Sequence, residues 1–113
     1  MPHLIIEYAR DLLPEAQIMP LLQAVHQAAE QTQLFDSSHI KVRAVPVTHF
    51  LVGGEGRGFV HAQLRIKEGR DQKQKKHLSE QVQAALRQHL PGAFVITVEV
   101  VDMDNDTYAK SVL

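Results

Sequence analysis

The sequence predicts an α/β protein of the α+β kind. Two β-α-β repeats form one four-stranded mixed sheet with two helices on one face. Three observations predict it. Apolar spacing switches between period two and period 3.6 in the order strand, helix, strand, then strand, helix, strand. Each half is about 55 residues, a fitting length for a βαβ unit. Proline, glycine and capping residues fall between the periodic stretches. A helical crossover makes the two strands of a half parallel, with a right-handed connection. The chain therefore reads as a single domain, 1–113, with repeats 2–57 and 58–113.

His3 to Ala9 is the first predicted strand. Its Leu4-Ile5-Ile6 run is continuous, which suggests that both faces are covered. A helix follows from Ile18 to Gln33, with Leu21, Leu22, Val25, Ala28 and Ala29 at helical spacing. Pro20 fits its first turn, where a missing N–H costs nothing. Leu34 to His39 is a turn rich in Asp and Ser. Ile40 to Leu51 is extended, with Ile40, Val42 and Ala44 on one face and Lys41, Arg43 and Val45 on the other. Pro46 marks a bend or a sheet edge there.

The glycine-rich stretch from Gly53 to Gly58 lacks the Lys-Ser/Thr of a phosphate loop and precedes a strand, so it reads as a turn. Phe59 to Lys67 alternates strictly, placing Val60, Ala62, Leu64 and Ile66 on one face. Asp71 with Gln74 has capping-box spacing and opens a helix to about Leu90, stopped by Pro91-Gly92. Its buried stripe is Leu78, Val82, Ala85, Leu86 and Leu90. Ala93 to Met103 is the fourth strand, and Asp102 to Leu113 is a tail. The sheet face away from the helices is expected to be rich in Val, Ile and Leu, and to need a symmetric partner.

Composition narrows the function. A net charge of −1 gives no bulk electrostatic case for nucleic acid or an anionic membrane. Without cysteine there are no disulfides, thiolate metal sites or cysteine nucleophiles. No apolar run spans a bilayer and no signal-like segment opens the chain, so a cytoplasmic protein is expected. The seven histidines, His3 among them, show no metal-ligand spacing and read as structural or exposed. Asp102-x-Asp104-x-Asp106 begins like a calcium loop, but Thr107 stands where glycine is needed and Leu113 where glutamate is needed.

The residues that invite chemistry are Pro2 and a set of cations. Initiator methionine is commonly trimmed before a small residue, and trimming here leaves Pro2 with a free secondary amine. An α-amino group titrates near ~7.7–8.0, and burial lowers that value toward a neutral base poised for proton transfer. With Met1 attached, the Pro2 nitrogen is an amide and cannot be a base. Six of the twelve Lys and Arg residues lie between Arg65 and Lys76. Lys73, Lys75 and Lys76 read as a solvated face. Arg70 sits at a strand-to-helix corner, beside the free N–H groups of a helix start, where a carboxylate can be held. Lys41 and Arg43 share a strand face, either as ordinary exposed cations or as ligands for one anion.

These stretches carry a resemblance. Met1-Pro2-His3 with the strand to Glu7, Ile40-Lys41-Val42-Arg43, and Phe59-Val60-His61-Ala62-Gln63-Leu64 are similar to the 5-carboxymethyl-2-hydroxymuconate isomerase family of the tautomerase superfamily. Glu68-Gly69-Arg70-Asp71 with Gln74-Lys75 resembles both that family and the shorter 4-oxalocrotonate tautomerases. The resemblance implies a tautomerase-like fold assembled as a barrel-like homotrimer, acting in aromatic-compound catabolism. It implies a small anionic dicarboxylate or tricarboxylate enol as substrate, a 2-hydroxydienoate, with no cofactor and no metal. It makes Pro2 the general base and then the acid, and Arg70 the group that binds or polarises the substrate. The family's second-strand arginines map onto Lys41, a departure, and Arg43. Lysine keeps the charge but loses the bidentate fork. Two alternatives stand beside this reading: a ferredoxin-like small-molecule-binding module, and an inactive tautomerase-fold protein that retains Met1.

Overall fold

The computed structural model describes residues 1–92 and 94–113. In chain order the elements are β1 (His3–Ala9), α1 (Ile18–Gln31), β2 (Lys41–Val47), β3 (Phe59–Lys67), α2 (Gln72–His89) and β4 (Val95–Met103). The strands form one sheet in the order β2-β1-β3-β4. β1 runs parallel to β2 and β3 parallel to β4, while β1 and β3 pair antiparallel at the centre. No strand lies between β1 and β2, so this is not the split βαβ of a ferredoxin-like module.

Strict alternation decides which strand residues are buried. Leu4, Ile6, Val60, Ala62, Leu64 and Ile66 point under the helices and are fully buried. They meet Leu21, Val25 and Ala29 of α1 and Leu78, Val82 and Leu86 of α2. Each large apolar side chain removed from water here stabilises the fold by about 1.5–3 kcal/mol. α1 closes two residues earlier than the spacing predicts. Gln33 takes a left-handed conformation (φ 60°), and the Thr32 hydroxyl turns back to Ala29 O at 2.6 Å. β2 also ends early, at Val47. It is an outer strand, which accommodates Pro46. Gly53 and Gly54 both adopt positive φ in a two-residue hairpin between Val52 and Glu55, so the glycines serve a turn. The fourth strand begins at Val95; its predicted start, Ala93, lies outside the described residues.

The outer face of the sheet corrects one expectation. It carries His3, Glu7, Arg43, His61, Gln63, Arg65, Thr97 and Glu99 beside a few apolar residues such as Ile5 and Val101. The apolar strand residues concentrate on the helix side: Val60, Leu64 and Ile66 are buried there, with Ile96, Val98 and Val100 packed against the same core. On the outer face His61 is held between Thr97 Oγ1 at 2.7 Å and Glu99 Oε2 at 2.6 Å. The face is thus mixed, with Val45 and Val95 exposed among the polar residues.

α2 opens on a complete capping box: Gln74 N–H donates to Asp71 Oδ1 at 2.8 Å, and Asp71 N–H to Gln74 Oε1 at 3.0 Å. Asp71→Ala is expected to cost about 1 kcal/mol, and Asp71→Asn much less. Urea unfolding at a fixed protein concentration checks this. Equal midpoints for Asp71→Ala and wild type would show that the cap carries no stability.

Candidate active site

The sheet register builds the site. Parallel pairing sets His3 opposite Lys41, and antiparallel pairing sets His3 opposite Arg65. The amino end of β1 thus lies between the start of β2 and the end of β3. Pro2 is fully buried at this junction, and its carbonyl accepts from Lys41 N–H at 3.0 Å. Beside it is a pocket of about 260 Å³, lined by Met1, Leu34, Phe35, Lys67, Arg70 and Lys110. Asp36 and His39 complete the lining.

The α1–β2 connection holds the cations in place through its carbonyls. Asp36 caps a short turn by accepting from Ser38 N–H at 2.9 Å and from the Ser38 hydroxyl at 2.7 Å. Those hydrogen bonds hold the Asp36 carboxyl below its ordinary pKa. The turn presents the His39 carbonyl, which accepts from the Met1 amino group at 3.1 Å and from Lys41 Nζ at 3.0 Å. Earlier in the connection, Leu34 O accepts from Arg70 Nη2 at 2.6 Å, and the Arg70 guanidinium lies over the Phe35 ring at 5.2 Å. One of five N–H donors is used there, which leaves the fork available to an anion.

The amino group is strongly perturbed. Its pKa falls from 8.0 to about 5. Burial is the first cause; the hydrogen bonding and charge of Lys41 come next, then the charges of Lys110 and Lys67. An amine in this position is neutral at neutral pH.

Of the residues singled out from sequence, Pro2, Lys41 and Arg70 come together at this junction. Arg43 stands apart, on the outer sheet face, where its Nη1 donates to His3 Nδ1 at 3.2 Å. At the helix start beside Arg70 the Asp71 side chain takes the Gln74 N–H, one of the free donors there. Lys75 is also less solvated than expected: it pairs with Asp102 at 2.8 Å.

The structure adds groups that the sequence reading passed over. His3 is one. Its Nε2 lies 2.9 Å from Tyr108 Oη, so the presumed tail folds back onto β1. Lys110 reaches the pocket from the same segment. Burial, then the charges of Arg43, Lys41, the amino group and Arg65, keep the His3 pKa below 6.5. Only the pattern of one histidine beside Pro2 could have hinted at this.

A mixed four-stranded sheet with two helices and an amino-terminal pocket of cations defines the tautomerase class of fold. Known proteins agree. A structure of a 5-carboxymethyl-2-hydroxymuconate isomerase from Deinococcus radiodurans R1 superposes with a TM-score of 0.84 at 27% identity, over 97% of this chain and 88% of that one. A 5-carboxymethyl-2-hydroxymuconate delta-isomerase gives 0.72 at 25% identity, over 99% of this chain and 88% of that one. A fused 4-OT wild-type symmetric trimer shares the fold alone, with a TM-score of 0.81 at 17% identity over 92% and 88% of the two chains. No curated protein sequence matches. The profile of the 5-carboxymethyl-2-hydroxymuconate isomerase family matches residues 2–111. The chain belongs to that family, and it is an isomerase.

The lowered His3 pKa has a consequence for stability. Between the lowered folded value and the ordinary 6.5, the unfolded chain binds more protons than the folded one, so stability rises with pH across that window. Below pH ~6.5 the wild type should therefore lose stability faster than His3→Gln, which does not titrate there. Urea midpoints measured across this range at fixed protein concentration check it; parallel curves would refute it.

Proposed function

We propose that this isomerase moves a proton across an anionic 2-hydroxydienoate of the 5-carboxymethyl-2-hydroxymuconate type, with the Pro2 nitrogen as base and then acid. Removal of Met1 does two things in this reading. It uncovers the Pro2 amine, and it empties the part of the pocket that Met1 fills. The observation that carries the proposal is placement: Pro2 is fully buried beside a pocket lined by Lys67, Arg70 and Lys110, with the Lys41 N–H bonded to its carbonyl. The same burial, and the lysines among these cations, lower the pKa of the Met1 amine one residue away, which supports a neutral amine at this end of the chain.

The chemistry follows from the residues. The neutral amine takes the proton from the substrate's 2-hydroxyl oxygen. The resulting dienolate gains negative charge, which the neighbouring cations stabilise more than they stabilise the ground state. The protonated amine then delivers the same proton to a distant carbon, so base and acid are one atom. Arg70 takes a substrate carboxylate through its free fork. Lys41 is assigned to a remaining anionic group, while Arg43, bonded to His3 on the outer sheet face, makes no direct contact in this reading. The physiological setting is the cytoplasmic breakdown of aromatic compounds. The functional unit is a homotrimer, supported by two outer strands with unpaired edges and by the symmetric-trimer description of a structural relative. Residues 2–57 and 58–113 are read as two copies of one β-α-β unit.

A second reading has its own observation. Met1 packs against the core and its amine is satisfied by His39 O, so a chain that keeps Met1 is plugged and inactive. Intact mass of the native protein decides between the two.

Pro2→Ala, with Met1 removed, is expected to lower ketonisation of 2-hydroxymuconate by about 100-fold or more. Undiminished turnover would end the proposal. Arg70→Ala should mainly raise KM, because it removes a contact shared by ground and transition states. Lys41→Met removes a like charge beside the amine, which raises the amine pKa. The acidic limb of its kcat/KM profile should therefore move to higher pH than in wild type. Superimposable limbs would exclude Lys41 from tuning the amine.

A further inference from the structure

We propose that Tyr108 is an additional substrate-contacting residue, donating its hydroxyl in a hydrogen bond to the anionic enol, with His3 and Arg43 as the positioning residues that aim it. The inference rests on the isomerase site proposed above and extends it to the C-terminal segment.

Hydrogen-bond direction carries the argument. Arginine can only donate. Arg43 Nη1 lies 3.2 Å from His3 Nδ1, so that nitrogen accepts and the ring proton sits on Nε2. His3 Nε2–H then donates to Tyr108 Oη at 2.9 Å. The phenol oxygen has its acceptor role filled, and its own O–H is left to donate. Among the described residues nothing receives it. The lowered pKa of His3 agrees with this neutral tautomer.

Placement puts that donor at the site. His3 follows Pro2 directly. Lys67, which lines the pocket, holds its ammonium 5.8 Å from the centre of the Tyr108 ring. Lys110, two residues beyond Tyr108, lines the pocket too. The ring is fixed edge-to-face on His3, with centroids 5.9 Å apart, and Tyr108 N–H closes a turn onto Asp104 O at 3.1 Å. The hydroxyl is therefore held on His3, outside the pocket lining itself but beside Lys67, which belongs to it. The ammonium groups there supply charge with little directionality. A fixed phenol supplies a directed donor to the oxygen on which dienolate charge develops, and such a donor acts on kcat more than on KM.

The test uses 2-hydroxymuconate and the Met1-processed protein. Tyr108→Phe keeps the ring under Lys67 and deletes one oxygen. Its kcat should fall by about 10- to 100-fold with KM within about twofold. His3→Leu should fall as far, whereas His3→Gln, which keeps a donor near the Nε2 position, should retain most of the rate. The double variant Tyr108→Phe/His3→Leu should be no slower than either single one, because His3 acts through the hydroxyl. A purely structural His3 would give multiplying losses, which would overturn the relay. If Tyr108→Phe does not fold, the contrast between His3→Gln and His3→Leu decides, and equal rates overturn the inference. Tyr108→Phe at wild-type rate beside an inactive Pro2→Ala overturns this inference alone. Pro2→Ala at wild-type rate removes the isomerase site and the Tyr108 role with it.

Discussion

Everything at the site depends on the pairing of β1 between a parallel and an antiparallel neighbour. Parallel pairing with β2 brings the start of one strand beside the start of the other, so Lys41 meets Pro2 and His3. Antiparallel pairing with β3 brings the end of a strand to the same place, and with it Lys67 and the corner that carries Arg70. Neither arrangement alone assembles the pocket. A sheet with only parallel neighbours would send β3's cations to the opposite end of the molecule. The packing of Leu4 and Ile6 against α1 and α2 fixes the register, because a one-residue slip would turn these fully buried side chains to water.

Gathering cations has an energetic cost, and the α1–β2 connection offsets it. Lys41, Lys67, Lys110 and Arg70 converge on one small volume in a chain of net charge −1. Carboxylate partners would relieve the repulsion but would also occupy the anion site. Asp36 is the one carboxylate on the lining, and its Oδ1 is taken up by Ser38; the direct partners of Lys41 and Arg70 are backbone carbonyls. His39 O takes the Lys41 ammonium and the terminal amine, and Leu34 O takes the guanidinium. A carbonyl accepts a charge-assisted hydrogen bond without neutralising the charge. The cations stay positive and fixed, and after burial, which is the larger cause, their field lowers the pKa of the amine.

Much of this was legible in the sequence because it rests on local rules. Alternation in Phe59–Lys67 gave β3 with its bounds, and Asp71 with Gln74 gave the start of α2. Pro2 and Arg70 were singled out by residue type and position, and Lys41 by its strand face and the family resemblance; the structure places the three near one another. What local rules miss is anything set by tertiary contact. The α1 end at Gln31 depends on Thr32 turning back on the helix and on one left-handed residue. The outer sheet face was misjudged because the continuous run Leu4-Ile5-Ile6 hid the polar residues that share the Ile5 face. His3 and Tyr108 are 105 positions apart, and no periodicity links them. The start of α2 was read both as a cap and as an anion site, and the cap is the use that the hydrogen bonds of Asp71 and Gln74 display.

The second half of the chain explains why the site occurs once. The bond from Lys41 N–H to Pro2 O, at 3.0 Å, recurs as Val95 N–H to Gly58 O at 3.0 Å. Gly58 therefore stands where Pro2 stands, and Val95 where Lys41 stands. The surroundings differ: a Cβ on Gly58 would come within 2.9 Å of the Phe94 ring, whereas Pro2 is accommodated with its whole side chain buried at the equivalent position. The contrast separates two properties that the fold could have coupled. The β-α-β scaffold positions a strand start beside its parallel neighbour at both ends of the sheet. In the proposed mechanism reactivity needs a nitrogen that is not in a peptide bond, and an internal position cannot supply one.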